Sequence, residues 1–310
     1  TSDGVYFDTS KIKDYNRLSG MPLKKLKEGA RVEVNPEKKN PTDFALWKFT
    51  PPGRTRQMEW PSPWSKKGFP GWHIECSAMG MKYLGEKIDL HTGGEDHLPV
   101  HHTNERAQNI AATGHPVVNL WFHNIFLLVE GKKMSKSLGN FYWLKDVEEK
   151  GIEPLALRYL FLTAHYQSRL NFTWKSLRAA EKAMNRLRNQ VGEWPGGRKT
   201  LAGFEKKFLT AINNNLDMPQ AMALVWDLVK AKKPLAEKKA TLLQFDQVLG
   251  LGLAKYQPVE PPKKVKELVK KRKALREKGQ WQEADKLRKK IEKLGWLVED
   301  REQGAKLKPI

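Results

Sequence analysis

Residues 71–105 read GWHIECSAMGMKYLGEKIDLHTGGEDHLPVHHTNE. A short apolar run, Ile88-Asp89-Leu90, leads into a Gly93-Gly94 turn and then a helix-like stretch from Asn104 to Ala112. The same alternation extends from Trp60 to Asn140, with Phe126-Leu127-Leu128-Val129 as a second strand-like run, and this pattern predicts an α/β domain. The stretch also carries chemistry. His101 and Glu105 stand four residues apart, so on a helix both side chains face one point and can share a metal. Cys76 is the soft third ligand that a zinc site takes. Each has a plainer reading when taken singly: a buried thiol, a hydrogen-bonded imidazole, a solvated carboxylate. Together, beside the Gly93-Gly94 turn, they point to a metal centre.

The rest of the chain divides around this block. Residues 1–50 mix short alternating stretches, Gly4-Val5-Tyr6-Phe7 and Arg31-Val32-Glu33-Val34, with turn signals, as a small β-rich insert does. The α/β domain covers 51–153. From Pro154 the periodicity is helical, since Leu155, Leu157, Tyr159, Leu160 and Leu162, then Leu177, Ala180, Met184, Leu187 and Val191, recur at the spacing of bundle helices. Glu193-Trp194-Pro195-Gly196-Gly197 interrupts this bundle, which resumes from about Phe204 to Leu249 and fills 154–255. A Pro-rich linker, Tyr256 to Pro262, precedes a basic end at 262–310. No internal repeat is evident.

Composition narrows the function classes. Lys and Arg number 56 against 35 Asp and Glu, a net charge of +21, which suits a polyanionic partner as well as a solvated basic surface. No apolar run approaches the roughly 20 residues that cross a bilayer, and the opening TSDGVYFDTS is not a signal peptide, so a cytoplasmic location and no membrane partner are expected. A lone cysteine excludes an internal disulfide. The start at Thr1, within an apparent strand at Val5-Tyr6-Phe7, suggests an internal starting point.

Two further segments carry binding chemistry. Lys133-Met134-Ser135-Lys136-Ser137 follows an apolar strand and a Glu130-Gly131 turn, placing two lysines and two hydroxyls on a loop that suits a triphosphate. The C-terminal segment combines Lys270, Lys271, Arg272, Lys273 and Arg276 with Trp281 and Asp285, and then Leu294-Gly295-Trp296-Leu297-Val298-Glu299-Asp300. Basic residues attract phosphates and an exposed aromatic stacks on an unpaired base, although Trp281 could equally fill a small core.

The blocks GWHIECSAM, HTGGEDHLPVHHTNE and KKMSKSLGN resemble, in order and separation, the signature blocks of cysteinyl-tRNA synthetases, which are class I enzymes. The resemblance implies an α/β fold: the second half of a Rossmann-type catalytic domain, an all-α bundle that contacts the tRNA stem, and a small C-terminal anticodon-binding domain. It implies one Zn²⁺ held by Cys76, His101 and Glu105, with a fourth family ligand, a cysteine near the N-terminus, that this sequence does not contain. A substrate thiol ionises on Zn²⁺ far more readily than a serine hydroxyl, and a site built on one such contact discriminates by roughly 10⁴ without editing. Trp72 would pack beneath the cysteine and His91 would lie near its carboxylate or thiol. ATP, as its Mg²⁺ complex, would be held by Gly93, Gly94, Asp96 and Lys136, with His123 to Phe126 lining the adenine pocket. Lys133 and Lys136, with Ser135 and Ser137 in the loop, would stabilise charge as the carboxylate displaces pyrophosphate. Arg276, Trp281, Asp285 and Asp300, in the RxxxxWxxAD pattern and beyond it, would contact the anticodon of tRNA(Cys).

Some expectations follow from departures from that family. An HIGH-type tetrapeptide is absent from these 310 residues, so the resemblance begins inside the family's insert and the chain alone is expected to be inactive, with a separate N-terminal half as a conceivable partner. Ser65-Lys66-Lys67 stands where the family places a glycine, and Leu307 where a tryptophan often stands. The competing readings are a ligase joining cysteine to an amino sugar, which needs no anticodon domain, and a non-catalytic tRNA-binding remnant.

Overall fold

A computed structural model describes residues 1–20, 22, 35–256, 260–301 and 304–309. The expected strand at Arg31–Val34 and the linker residues 257–259 lie outside the described residues. The chain forms two compact units, one of Thr1–Gly151, Leu160–Leu177 and Asn215–Pro219, the other of Ile152–Tyr159, Arg178–Asn214 and Gln220–Ile310.

In the first unit, strands β1 (Gly4–Phe7), β2 (Phe44–Phe49) and β3 (Gly68–Pro70) make an antiparallel sheet in that order. The sheet thus takes a strand from beyond residue 50, because Trp47 pairs with Pro70 and Phe49 with Gly68. Gly71 then starts helix α1 (Trp72–Leu84) directly from β3. Strand β4 (Ile88–Gly94), helix α2 (His101–Thr113) and strand β5 (Val118–Asn124) follow. β4 and β5 run parallel, from Ile88 opposite Val118 to Gly94 opposite Asn124, so the connection between them must cross over, and α2 supplies it. Ile88, Val117 and Val118 form one buried cluster, and Tyr15, Phe44 and Ala107 another.

A third sheet has the order β7 (Lys132–Lys133), β6 (Leu127–Val129), β8 (Leu170–Phe172). The turn between β6 and β7 has positive φ at Glu130 (49°) and Gly131 (74°), the conformation of a tight two-residue hairpin. β8 interrupts the helices expected from Pro154 onward, between α4 (Pro154–Leu162) and α5 (Trp174–Glu193). Three residues are too few to display a strand period, and their partner β6 lies some forty residues upstream. A short helix, α3 (Leu144–Glu149), lies between β7 and α4.

The second unit is mostly helical, with one hairpin at its C-terminal end. Helices α6 (Ala202–Asn213), α7 (Met218–Lys230) and α8 (Leu235–Leu249) follow α5, which ends at the Glu193 break. Leu187, Phe208, Leu228, Leu242 and Phe245 are buried, and the Phe208 and Phe245 rings stack with centroids 4.0 Å apart. Arg188 is buried with its guanidinium on the half-exposed Glu153 carboxylate and the Leu251 carbonyl, so the buried charge has its partners at the edge of the core. The C-terminal part holds α9 (Lys263–Glu277), α10 (Trp281–Lys293) and the antiparallel hairpin β9 (Trp296–Arg301) and β10 (Gly304–Pro309). Its core is Val265, Leu268, Ile291, Trp296 and Val298. No helix among the described residues is long and apolar enough to cross a membrane.

Candidate functional site

Helices α1 and α2 bring the expected metal ligands together. Trp72 and Cys76 are one turn apart on α1, and His101 and Glu105 one turn apart on α2. Ser77 donates to Gln108 at 2.7 Å, and His73 Nδ1 lies 2.9 Å from His101 Nδ1, which fixes the two helices against each other. Ligand atoms of Cys76, His101 and Glu105 lie within 4.8 Å of one another. Glu105 is 1% exposed, and its Oε1 has no hydrogen bond although His101 Nε2 is 2.7 Å away. Glu105 Oε1 and His101 Nε2 are therefore close enough for one ion to bridge them. A buried anion, an imidazole and a thiol so placed fit a Zn²⁺ ion by both donor chemistry and spacing.

Charge in this pocket follows from burial. Burial raises the Glu105 pKa, but His101 and His91 on its two oxygens outweigh that and hold it at about 2, so it stays anionic. Burial, with His101 nearby, lowers His73 to about 4. Burial likewise takes His102 to about 3, leaving both imidazoles neutral and able to act as ligands or acceptors. Burial first, then Glu105 and Glu75, raises the Cys76 thiol.

The C-terminal ends of β4 and β5, where ligands bind in parallel α/β sheets, form the edge of this pocket. His91 on β4 places Nε2 3.1 Å from Glu105 Oε2. His102 Nδ1 lies 2.7 Å from His123 Nε2 on β5, and His91, His102 and Glu105 make a second convergent group. A side chain at Gly93 would put Cβ 2.5 Å from His102 Cε1 and 3.0 Å from His97 Nδ1, so the packed imidazoles require the glycine. At Gly94 a Cβ would meet Asp96 Oδ1 at 2.7 Å. Asp96 is exposed. Trp72, 47% exposed, stacks on His101 with centroids 4.5 Å apart, so its half-exposed ring forms a wall of the metal cluster.

The lysine loop begins on β7 with Lys133 and passes through a 3-10 turn at Lys136–Leu138. Ser135 caps that turn through the Leu138 N–H, and its hydroxyl is 3.2 Å from that of Ser137. Lys133 Nζ lies 5.3 Å from the Phe126 ring and Lys136 Nζ 5.7 Å from the Phe141 ring, both lysines being exposed. Phe126 also comes within 3.9 Å of a Cβ built on Gly94, which ties the loop to the glycine edge.

Sequence reasoning missed three participants. Asn140 accepts from the Ser135 N–H at 2.9 Å and donates to the Lys133 carbonyl at 3.0 Å, stapling both ends of the loop. Its position just after the serine-rich loop was the only signal. His73 and His102 were also missed, though His73 precedes Cys76 by three residues and His102 adjoins His101.

In the C-terminal part, Trp281 is 57% exposed and outside the core, with the Arg276 guanidinium 5.5 Å from its ring. The core role belongs to Trp296. Asp300 is engaged within the chain: Arg272 donates to both its oxygens at 2.7 and 2.9 Å, and Arg276 pairs with Oδ2. Arg272 first, with Arg276 adding to it, holds the Asp300 carboxyl at about 2. Asp285 is exposed on the first turns of α10.

Residues 1–182 match the family described as tRNA synthetases class I (C) catalytic domain, and residues 260–306 match the cysteinyl-tRNA ligase anticodon binding domain. Fold and matched catalytic domain place the chain in class I of the tRNA synthetases. Among known proteins it is 49% identical over 310 residues to "Cysteine--tRNA ligase 1" of Burkholderia lata, covering 99% of this chain and 66% of that one. It is 41% identical to the cysteine--tRNA ligase of Opitutus terrae (99% and 68% covered) and 36% identical to that of Chlamydia muridarum (99% and 70%). Within that class the chain belongs to the cysteinyl-tRNA synthetase family. It spans about two thirds of the length of these curated relatives.

Proposed function

We propose that the protein is a cysteine--tRNA ligase, which activates cysteine with ATP to cysteinyl-adenylate and transfers it to tRNA(Cys) in the cytoplasm. The observation that carries this reading is the convergence of Cys76, His101 and Glu105 beside the half-exposed Trp72. When bound there, zinc would supply a soft Lewis acid that favours a thiol over a hydroxyl. Trp72 offers an apolar wall for the small substrate, and His91 orients the Glu105 carboxylate from the second side. Asp96 is the acceptor suited to ribose hydroxyls, and Gly93 and Gly94 let a nucleoside approach backbone. Lys133 and Lys136 bring positive charge to the phosphates of Mg²⁺–ATP as pyrophosphate leaves, on a loop shaped by Ser135 and Ser137. Arg276, Trp281, Asp285 and Asp300 form the surface for the anticodon. The match of residues 260–306 to an anticodon-binding domain favours this reading over an amino-sugar ligase.

The test is calorimetric binding of cysteine against serine to the zinc-loaded protein, with Cys76→Ser as the comparison. The expected result is binding of cysteine alone, lost in the variant and on chelation. Equal binding of the two amino acids, or no effect of the variant, would overturn the assignment. The corresponding catalytic readout is cysteine-dependent ATP–pyrophosphate exchange.

A further inference from the structure

The Arg272–Asp300 contact carries an inference that rests on the anticodon reading above. Arg272 lies on the basic helix α9, yet it is 4% exposed while Lys270, Lys271 and Lys273 around it are exposed. Its fork meets both carboxylate oxygens of Asp300 on β9, at 2.7 and 2.9 Å. Asp300 itself remains 41% exposed; Arg276 reaches its Oδ2, and the exposed Trp281 ring lies 5.5 Å from the Arg276 guanidinium. A buried charge held by a two-point contact to a half-exposed partner fixes the orientation of that partner.

We infer that Arg272 is a positioning residue for RNA recognition: it locks the Asp300 carboxylate so that the remaining lone pair of Oδ1 meets the donor edge of a base stacked on Trp281. The occupant is an unpaired nucleotide presenting an amino or imino N–H, because an ionised carboxylate can only accept. Asp300 without this lock would rotate about its two side-chain bonds and read donors in no fixed register. Arg272 never touches the RNA. Its contribution therefore lies in discrimination between bases, whereas the exposed lysines of α9 contribute salt-dependent attraction to any RNA.

The experiment compares the binding of two hairpin RNAs by the full 310-residue chain. One carries the loop complementary to a cysteine codon, and the other carries substitutions at the loop bases with amino groups. Wild type, Arg272→Lys, Asp300→Asn and the double variant are measured, each checked by circular dichroism and melting temperature. Arg272→Lys keeps the charge and loses the fork, so cognate binding should weaken about tenfold, the lower part of the range for one well-placed polar base contact. Binding of the substituted hairpin should be unchanged. In the Asp300→Asn background the same Arg272 change should have no further effect on the ratio, since the two act through one contact. If wild type does not distinguish the hairpins, the anticodon reading fails. If wild type does distinguish them and Arg272→Lys folds normally and preserves the ratio, the positioning role is refuted. Additive effects of the two changes would also overturn it.

Discussion

Gly71 joins β3 to α1, and replacing it with alanine tests whether that junction sets the geometry of the site. An added Cβ would lie 1.9 Å from the Ala45 carbonyl oxygen and 2.8 Å from its carbon, both backbone atoms of the neighbouring strand β2. Ordinary contact begins near 3.4 Å, so β2 and the start of α1 would have to part by about 1.5 Å. The Gly71 N–H donates to the Leu46 carbonyl at 2.8 Å, and parting of that size breaks the bond. Overpacking against backbone that cannot rotate away, together with one lost hydrogen bond, costs about 3 kcal/mol. In a unit of this size that lowers the melting temperature by roughly 6–12 °C. Because α1 carries Trp72, His73 and Cys76, bound zinc should fall in the folded variant too. Differential scanning calorimetry and metal analysis provide the readouts. A Gly71→Ala protein that melts within about 2 °C of wild type with full zinc would refute the reasoning.

Other outcomes follow from individual contacts. Gly93→Ala meets side chains rather than backbone, so it should cost only about 1–2 kcal/mol while displacing His102, seen as weaker nucleotide binding with a small shift in melting. Lys136→Ala should lower cysteine-dependent pyrophosphate exchange by about 10²–10³ with unchanged zinc content; an unchanged rate removes Lys136 from the mechanism. Trp281→Ala should weaken anticodon-hairpin binding by ~1–3 kcal/mol, and equal binding by a folded variant would dismiss stacking there. The Asp300 carboxyl, depressed from 3.8 to about 2, contributes stability present above pH 3.8 that is lost as pH falls through 2. Asp300→Asn should therefore be less stable than wild type at pH 5 and converge with it near pH 2 in denaturation curves.

What could be read from the sequence was whatever local spacing encodes. His101 and Glu105 at four-residue spacing and the Glu193 break each appear where local rules put them, because helix period and chain breaks are properties of neighbouring residues. Gly93 and Gly94 instead end strand β4, paired with His123 and Asn124, and the turn begins at Glu95. Contacts between distant segments were not legible. β8 pairs with β6 across some forty residues, and Arg272 looks in sequence like another solvated cation until β9 folds against α9. Trp281 and Trp296 are equally apolar, and only the packing of Val265, Leu268 and Ile291 decides which one is buried. The histidines were visible individually, but their pairing depends on the α1–α2 packing and on the β4–β5 register.

The late strand β8 also bears on how the chain is made. The Glu130 N–H donates to the Phe172 carbonyl at 3.0 Å and the Gly131 N–H to the Asn171 side chain at 2.8 Å, so the hairpin leading into the lysine loop is anchored by residues that follow it. A ribosome that has reached residue 160 has synthesised the whole loop and none of its anchor. The loop acquires its support only when residues 170–172 leave the exit tunnel, and until then the nascent β6 edge is a strand without its parallel neighbour, available to chaperones.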